Sequence, residues 1–144
     1  MSFLGLDVGD KKIGVAISHS EVLANEYATL ENNPEIFEQI SKICQSENME
    51  KIVVGLPISA SGEDSAQAKK TRQFAKNLQG KIDLPVILEN ETLTTMEAEQ
   101  ILCDEGLTVA QAKERVDQLS AKLILQQFLE SQQEQKNRDL EEKI

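Results

Sequence analysis

A chain of 144 residues with 40% hydrophobic and 28% charged side chains is one domain's worth of sequence with enough apolar content to bury a core, which excludes a fully disordered or collagen-like polymer. A net charge of -10 and a pI near 4.6 exclude tight, non-specific nucleic-acid binding by the whole surface, because phosphate contacts need Lys and Arg. No run approaches the ~18 apolar residues of a membrane helix, and Asp7 falls too early for an apolar export signal, so the chain is expected in the cytoplasm with no membrane partner.

Residues 3–8, Phe-Leu-Gly-Leu-Asp-Val, read as a buried strand that carries a carboxylate. Gly9-Asp10 is a turn, and Lys11 to Ile17 alternates as a second strand, giving an antiparallel hairpin. Residues 22–30 fit a third strand. Pro34 opens a helix to about Ser46, with Ile36, Ile40 and Ile43 along one face. The apolar run Lys51 to Pro57 is a buried strand, followed by a polar loop 58–64 around Gly62. Ser65 to Gln79 is a helix that turns Phe74, Ala75 and Leu78 inward and stops at Gly80. Leu84 to Glu89 is a further strand. Thr94 and Glu97 have capping-box spacing, opening a helix to about Glu105 that stops at Gly106. Residues 106–112 are weakly patterned, and a last helix runs from about Lys113 to Ser131. Residues 1–131 therefore form the domain, and the Gln-, Glu- and Lys-rich tail 132–144 is a frayed helix extension or disordered. A three-strand antiparallel meander followed by strands alternating with helices predicts an α/β domain with a mixed five-stranded sheet flanked by helices.

Cys44 and Cys103 lack zinc-site spacing, and the single His19 cannot complete such a site. Both thiols are expected reduced, and a Ser-His-Asp or Cys-His mechanism has no nucleophile turn to use. The acids are more informative. Asp7 lies inside a strand between Leu6 and Val8, bracketed by Gly5 and Gly9. A carboxylate there is costly unless it is paired or holds a metal, although a strand-end Asp bonding to a turn is the plainer alternative. Glu91 follows a strand at the edge of the sheet where α/β proteins bind ligands; as an isolated feature it also reads as a solvated loop acid. Asp117, Ala121, Ile124 and Phe128 share one helical stripe, so Asp117 continues the face that meets the sheet. The alternative is a first-turn Asp that answers the helix dipole.

Three acids on three elements suggest an oxygen-ligand site for Mg²⁺ or Mn²⁺. Two such ions about 4 Å apart could activate water and stabilise the leaving oxygen in phosphodiester cleavage. The nucleic acid would be met by the basic residues. Lys11 and Lys12 follow Asp7 in the turn, and Lys69, Arg72 and Lys76 share a helix face. Such a face can follow a phosphate backbone, and it can equally be a solvated surface.

As a set, Leu4-Gly-Leu-Asp-Val-Gly-Asp-Lys-Lys-Ile-Gly-Val-Ala16, Val54-Gly-Leu-Pro57 with Gly62, Glu91-Thr-Leu-Thr-Thr-Met-Glu-Ala98, and Val116-Asp117 leading into Leu123-Ile-Leu125 resemble the YqgF family. Its members are described as Holliday junction resolvases and as pre-16S rRNA nucleases. The resemblance covers residue 3 to about 130. It implies a ribonuclease H-like fold and a divalent-metal nuclease with catalytic and metal-binding acids at the positions of Asp7, Glu91 and Asp117. It also implies a role at the 5′ end of pre-16S rRNA during ribosome biogenesis, or the older proposal of cleaving branched DNA. The family's usual Asp-Glu-Arg-Leu-Thr-Thr is here Asn90-Glu91-Thr92-Leu93-Thr94-Thr95, and Ser18-His19-Ser20 stands where an Asp is usual. Two other classes compete: an RNA-binding or docking protein with little catalysis, and a nucleotide binder, since Asp7-Val-Gly9 in a hairpin resembles the phosphate loop of actin-like ATPases. Those ATPases use two such domains, and this chain has the length of one.

Overall fold

The period-two alternation of β1 (Phe3–Val8) sets the layout of the protein. The computed structural model describes residues 1–59, 61–91 and 95–142, without the side chains of 95–99 and 114. Leu4, Leu6 and Val8 enter one apolar cluster, and Phe3 enters another on the opposite face of the sheet. β2 (Lys12–Ser18) pairs antiparallel with β1, and β3 (Asn25–Glu31) pairs antiparallel with β2 through a register shift at Val15 and Ala16. β4 (Lys51–Pro57) joins the other side of β1 in parallel, and β5 (Val86–Glu91) pairs parallel with β4. The order β3-β2-β1-β4-β5 is the expected mixed five-stranded sheet.

Helices cover both faces. On one, α1 (Ile36–Ser46) and α2 (Ala66–Lys81) bring Ile36, Ile40, Cys44, Phe74 and Leu78 against Leu4, Leu6, Val15, Ile52 and Val54. On the other, α4 (Val109–Glu142) brings Ala121, Ile124, Leu125 and Phe128 against Phe3, Ala16 and Val53. α3 (Thr95–Asp104) packs on α4 through Leu102, against Ala112, Val116 and Leu119. Each fully buried Leu or Ile contributes about 1.5–3 kcal/mol, so the two apolar layers hold the sheet from both sides. Among the described residues no helix is long and apolar enough to cross a membrane.

Several boundaries differ from the sequence expectation, each for a local reason. α2 passes through Gly80 to Lys81 and ends at Ile82, whose N–H bonds to the Leu78 carbonyl. A glycine costs a helix only about 1 kcal/mol, and Gly80 does not adopt the left-handed conformation of a stop. α4 starts at Val109 because Thr108 and Gln111 form a capping box. The Gln111 N–H donates to Thr108 Oγ1 at 3.2 Å, and the Thr108 N–H donates to Gln111 Oε1 at 2.9 Å. The helix continues past Ser131, and Gln133 and Lys136 reach back to Glu21. β5 begins after Pro85 and takes in Glu91 as its last residue. The expected capping box at Thr94 and Glu97 lies outside the described residues.

Candidate active site

The sheet face under α4 is thin where the acids meet. Gly14 stands opposite Asp7 in the β1–β2 ladder, and the Asp117 backbone lies directly over it. A Cβ on Gly14 would sit 1.8 Å from the Asp117 carbonyl oxygen. Gly5 repeats the arrangement under Leu125 and Ala121. Phe3 meets Phe128 edge-on with ring centroids 5.4 Å apart, so α4 runs antiparallel to β1 and delivers Asp117 to the strand's carboxyl end. Asp117 sits well inside α4, too far from the N-terminus for the first-turn dipole role. Glu91 reaches the same edge at the end of β5, level with Pro57 of β4.

The electrostatics tie the three together. Burial first, and the Asp117 charge second, push Asp7 from the usual 3.8 up to about 6. Burial and then the Asp7 charge push Glu91 from 4.5 up to about 7. Burial raises Asp117, against the opposing pull of the Lys12 ammonium. The acids thus form one desolvated, self-repelling group with oxygen donors only. That donor chemistry suits a hard divalent cation, which takes one or two carboxylates and fills its other positions with water and phosphate oxygens. Among the described residues no three metal-capable side chains are arranged to hold an ion; the acids converge without closing into a cage.

The strand ends that carry the acids are tethered by amides. Gln67 Nε2 of α2 donates to the Val8 carbonyl at 2.9 Å, and Asn32 Nδ2 donates to the Gly9 carbonyl at 2.8 Å. Gln127 Nε2 of α4 donates to the Asn90 carbonyl at 2.6 Å and to Glu89 Oε1 at 3.1 Å. The sequence reading missed these groups. Gln127 lies off the apolar stripe of its helix, and a glutamine on a mixed face gives no signal of its partner.

The basic residues divide. Lys12 faces the acids from the hairpin, and Lys11 is exposed beside it. Lys69, Arg72 and Lys76 lie exposed on α2, on the other layer of the fold from α4. Arg72 pairs with Asp64 across 2.6 Å, and Arg72 and Lys76 line a groove along Val86 and Leu88 of β5. The structure does not bring this face to the acids. It flanks the same edge strand that ends in Glu91. Thr92 lies outside the described residues. His19 pairs with Glu47 at 3.0 Å. A cavity of about 600 Å³ lined by Cys44, Met49, Lys81 and Leu84 opens at the amino ends of β4 and β5, away from the acids.

The family whose model matches residues 1–131 is described as "RuvX: Holliday junction resolvase". Two curated relatives bear the name "Putative pre-16S rRNA nuclease". The one from Pelotomaculum thermopropionicum is 40% identical over 92% of this chain and 88% of its own. The one from Thermoanaerobacter pseudethanolicus is 40% identical over 92% of this chain and 98% of its own. Among solved structures, Thermus thermophilus RuvC in complex with a Holliday junction substrate matches with a TM-score of 0.56 at 14% identity, covering 92% of this chain and 96% of that one. The Fowlpox virus resolvase in complex with Holliday junction DNA matches with a TM-score of 0.56 at 14% identity, covering 91% and 98%. At that identity the likeness bears on the fold, which is ribonuclease H-like.

Proposed function

The chain belongs to the RuvX family, for which YqgF is another name, and from that premise we propose that it is a divalent-metal-dependent nuclease acting on structured nucleic acid, with Asp7, Glu91 and Asp117 as its catalytic and metal-binding acids. The observation that carries this reading is the meeting of three desolvated carboxylates, from β1, β5 and α4, at the carboxyl edge of the sheet. The relatives' names favour pre-16S rRNA as the substrate; that the cut falls at its 5′ end, in the cytoplasm, is part of the proposal. The family's description favours branched DNA as the second reading.

Asp7 is held by the centre of the sheet and Asp117 by the close seat of α4 over Gly14, so both would hold Mg²⁺ or Mn²⁺ on rigid elements, with Glu91 completing the set from β5. When bound, such ions supply an activated water and stabilise the departing oxygen of a phosphodiester. Glu91, at about 7, retains a proton on part of the molecules near neutrality, and that proton must leave when the carboxylate takes up a ligand cation. Lys12, beside Asp117, presents a positive charge to a phosphate oxygen entering the site. Lys11, Lys69, Arg72 and Lys76 would follow the flanking backbone.

The test is the purified protein with a panel of structured RNA, branched DNA and linear controls, in Mg²⁺, Mn²⁺ or EDTA. Cleavage that needs the ion, is abolished by EDTA and is lost in Asp7→Asn supports the reading. Undiminished cleavage in EDTA overturns the metal mechanism. Binding of RNA with no cleavage under any condition would assign the chain to docking instead.

A further inference from the structure

We infer that Gln127 is a positioning residue, an amide on α4 that fixes Glu91 by holding the backbone at the end of the edge strand. The inference rests on the acid-site reading above and adds a residue to it.

Among the described residues β5 is an edge strand, paired with β4 on one side. Glu91 is its last residue and the last rung of its ladder, opposite Pro57. Among the described residues, the ladder support at that position comes from β4. Glu91 also lies close enough to Asp7 to feel that acid's charge, so its placement relative to Asp7 matters to any cation the two would share. At the other end of the strand the Val86 N–H is taken by Gln79 Oε1 at 2.8 Å, and Gln79 Nε2 takes the Leu84 carbonyl at 2.8 Å. Gln127 performs the equivalent task where it matters for the acids. Its Nε2 donates to the Asn90 carbonyl at 2.6 Å, one residue before Glu91, and to Glu89 Oε1 at 3.1 Å. The same helix, ten residues earlier, carries Asp117. One rigid element therefore carries one acid and fixes the position of a second. Residues that orient metal ligands in this way affect metal affinity or activity by roughly 10–100-fold when removed. Only the end of the strand depends on Gln127, because the β4 ladder and Gln79 already hold the rest.

The test uses the full chain with Gln127→Met, which keeps the length of the side chain and removes its donors, and Gln127→His, whose Nε2–H stands at the same reach and is neutral at pH 8. Mn²⁺ alone is titrated by electron paramagnetic resonance, amide exchange is followed at residues 89–91, and kcat and KM are measured on a cleaved substrate. Gln127→Met is expected to weaken Mn²⁺ about tenfold, speed exchange at 89–91 and lower kcat with KM unchanged, while the melting temperature moves by no more than about 2 °C. Gln127→His should restore most of the Mn²⁺ affinity. Equal Mn²⁺ affinity and kcat in wild type and Gln127→Met would overturn the inference, as would a loss that Gln127→His does not recover, since the role would then be packing. Asp7→Asn and Glu91→Gln run alongside. If both bind Mn²⁺ like wild type, the acid site itself fails; if both lose it while Gln127→Met does not, only the role of Gln127 fails.

Discussion

Replacing Asp7 by Asn isolates the electrostatic cost of the proposed site, because the two side chains match in shape and differ in charge. Asp7 is raised from 3.8 to about 6 by burial and the Asp117 charge. A carboxyl whose pKa is raised on folding contributes stability below its unfolded value, and that contribution is lost as pH rises through its folded value. The window is therefore pH 3.8 to about 6. At about 1.4 kcal/mol per unit the difference between its ends is about 3 kcal/mol, and partial access to water brings the expected effect to about 1–3 kcal/mol. In EDTA at pH 8, Asp7→Asn should be more stable than wild type by that amount. For a chain of this size the melting temperature would rise by roughly 2–10 °C. Near pH 3.5, where the wild-type carboxyl is protonated in the native state and mostly so in the unfolded one, the advantage should nearly vanish.

Metal works against that advantage. A cation bound only by the native state stabilises it by about 2.7 kcal/mol at one hundred times its Kd, so Mn²⁺ should raise the wild-type melting temperature and raise that of Asp7→Asn much less. Calorimetric melts of both proteins at pH 3.5 and 8, with EDTA or Mn²⁺, supply all the comparisons. A variant less stable than wild type at both pH values, with an undiminished Mn²⁺ shift, would show a structural Asp whose hydrogen bonds are worth about 1–3 kcal/mol, and the reasoning would be refuted.

Gly14→Ala should lower stability by about 1–3 kcal/mol or more through overpacking, since the clash is with the Asp117 backbone and not with a side chain that can turn away; urea unfolding measures it, and the same variant should lose activity by displacing Asp117. Thr108→Ala removes the acceptor that starts α4 and should cost about 1 kcal/mol, read by the same method. Changing Lys69, Arg72 and Lys76 to Ala should flatten the salt dependence of nucleic-acid binding by up to about 0.9 in slope for each phosphate that is no longer neutralised. Because Arg72 is already paired with Asp64, the single variants Lys69→Ala and Lys76→Ala should account for most of that change, and an unchanged slope would route the nucleic acid elsewhere. Ending the chain after Ser131 removes the Lys136–Glu21 pair and the Gln133 bond to the Glu21 carbonyl, surface interactions that water screens and that add little to stability, so the truncated chain should melt within about 4 °C of the full one.

The sheet was legible in the sequence because its strands alternate or run apolar between turn residues, and the hairpin from Phe3 to Ser18 needs only local contacts. The errors fell at helix ends. Gly80 looks like a stop, but a stop needs the left-handed conformation; Gly106 adopts it and ends α3 as expected, with the Gly106 and Leu107 N–H groups donating back to the Cys103 and Leu102 carbonyls. The start of α4 was placed too late because Thr108 and Gln111 form a capping box from a weaker pair of residues than Ser with Glu, ahead of an exposed Val109 that breaks the apolar pattern.

The acids were visible for a different reason from the rest of the site. A carboxylate inside an apolar strand or on an apolar stripe conflicts with its surroundings in one dimension, and that conflict is readable without coordinates. What makes the conflict productive is three-dimensional. Gly14 has no Cβ because α4 must approach β2 within backbone contact, and that approach is what lets Asp117 act on Asp7. In the sequence Gly14 looked like an ordinary small residue in a strand. Gln127 likewise satisfies a carbonyl 37 residues away, a pairing no periodicity encodes. The charges are thus specified by local exceptions, while their separation is specified by a glycine and an amide that break no local rule. The side chain at Asn90, beside Glu91, does not enter that support, because Gln127 holds the Asn90 backbone carbonyl.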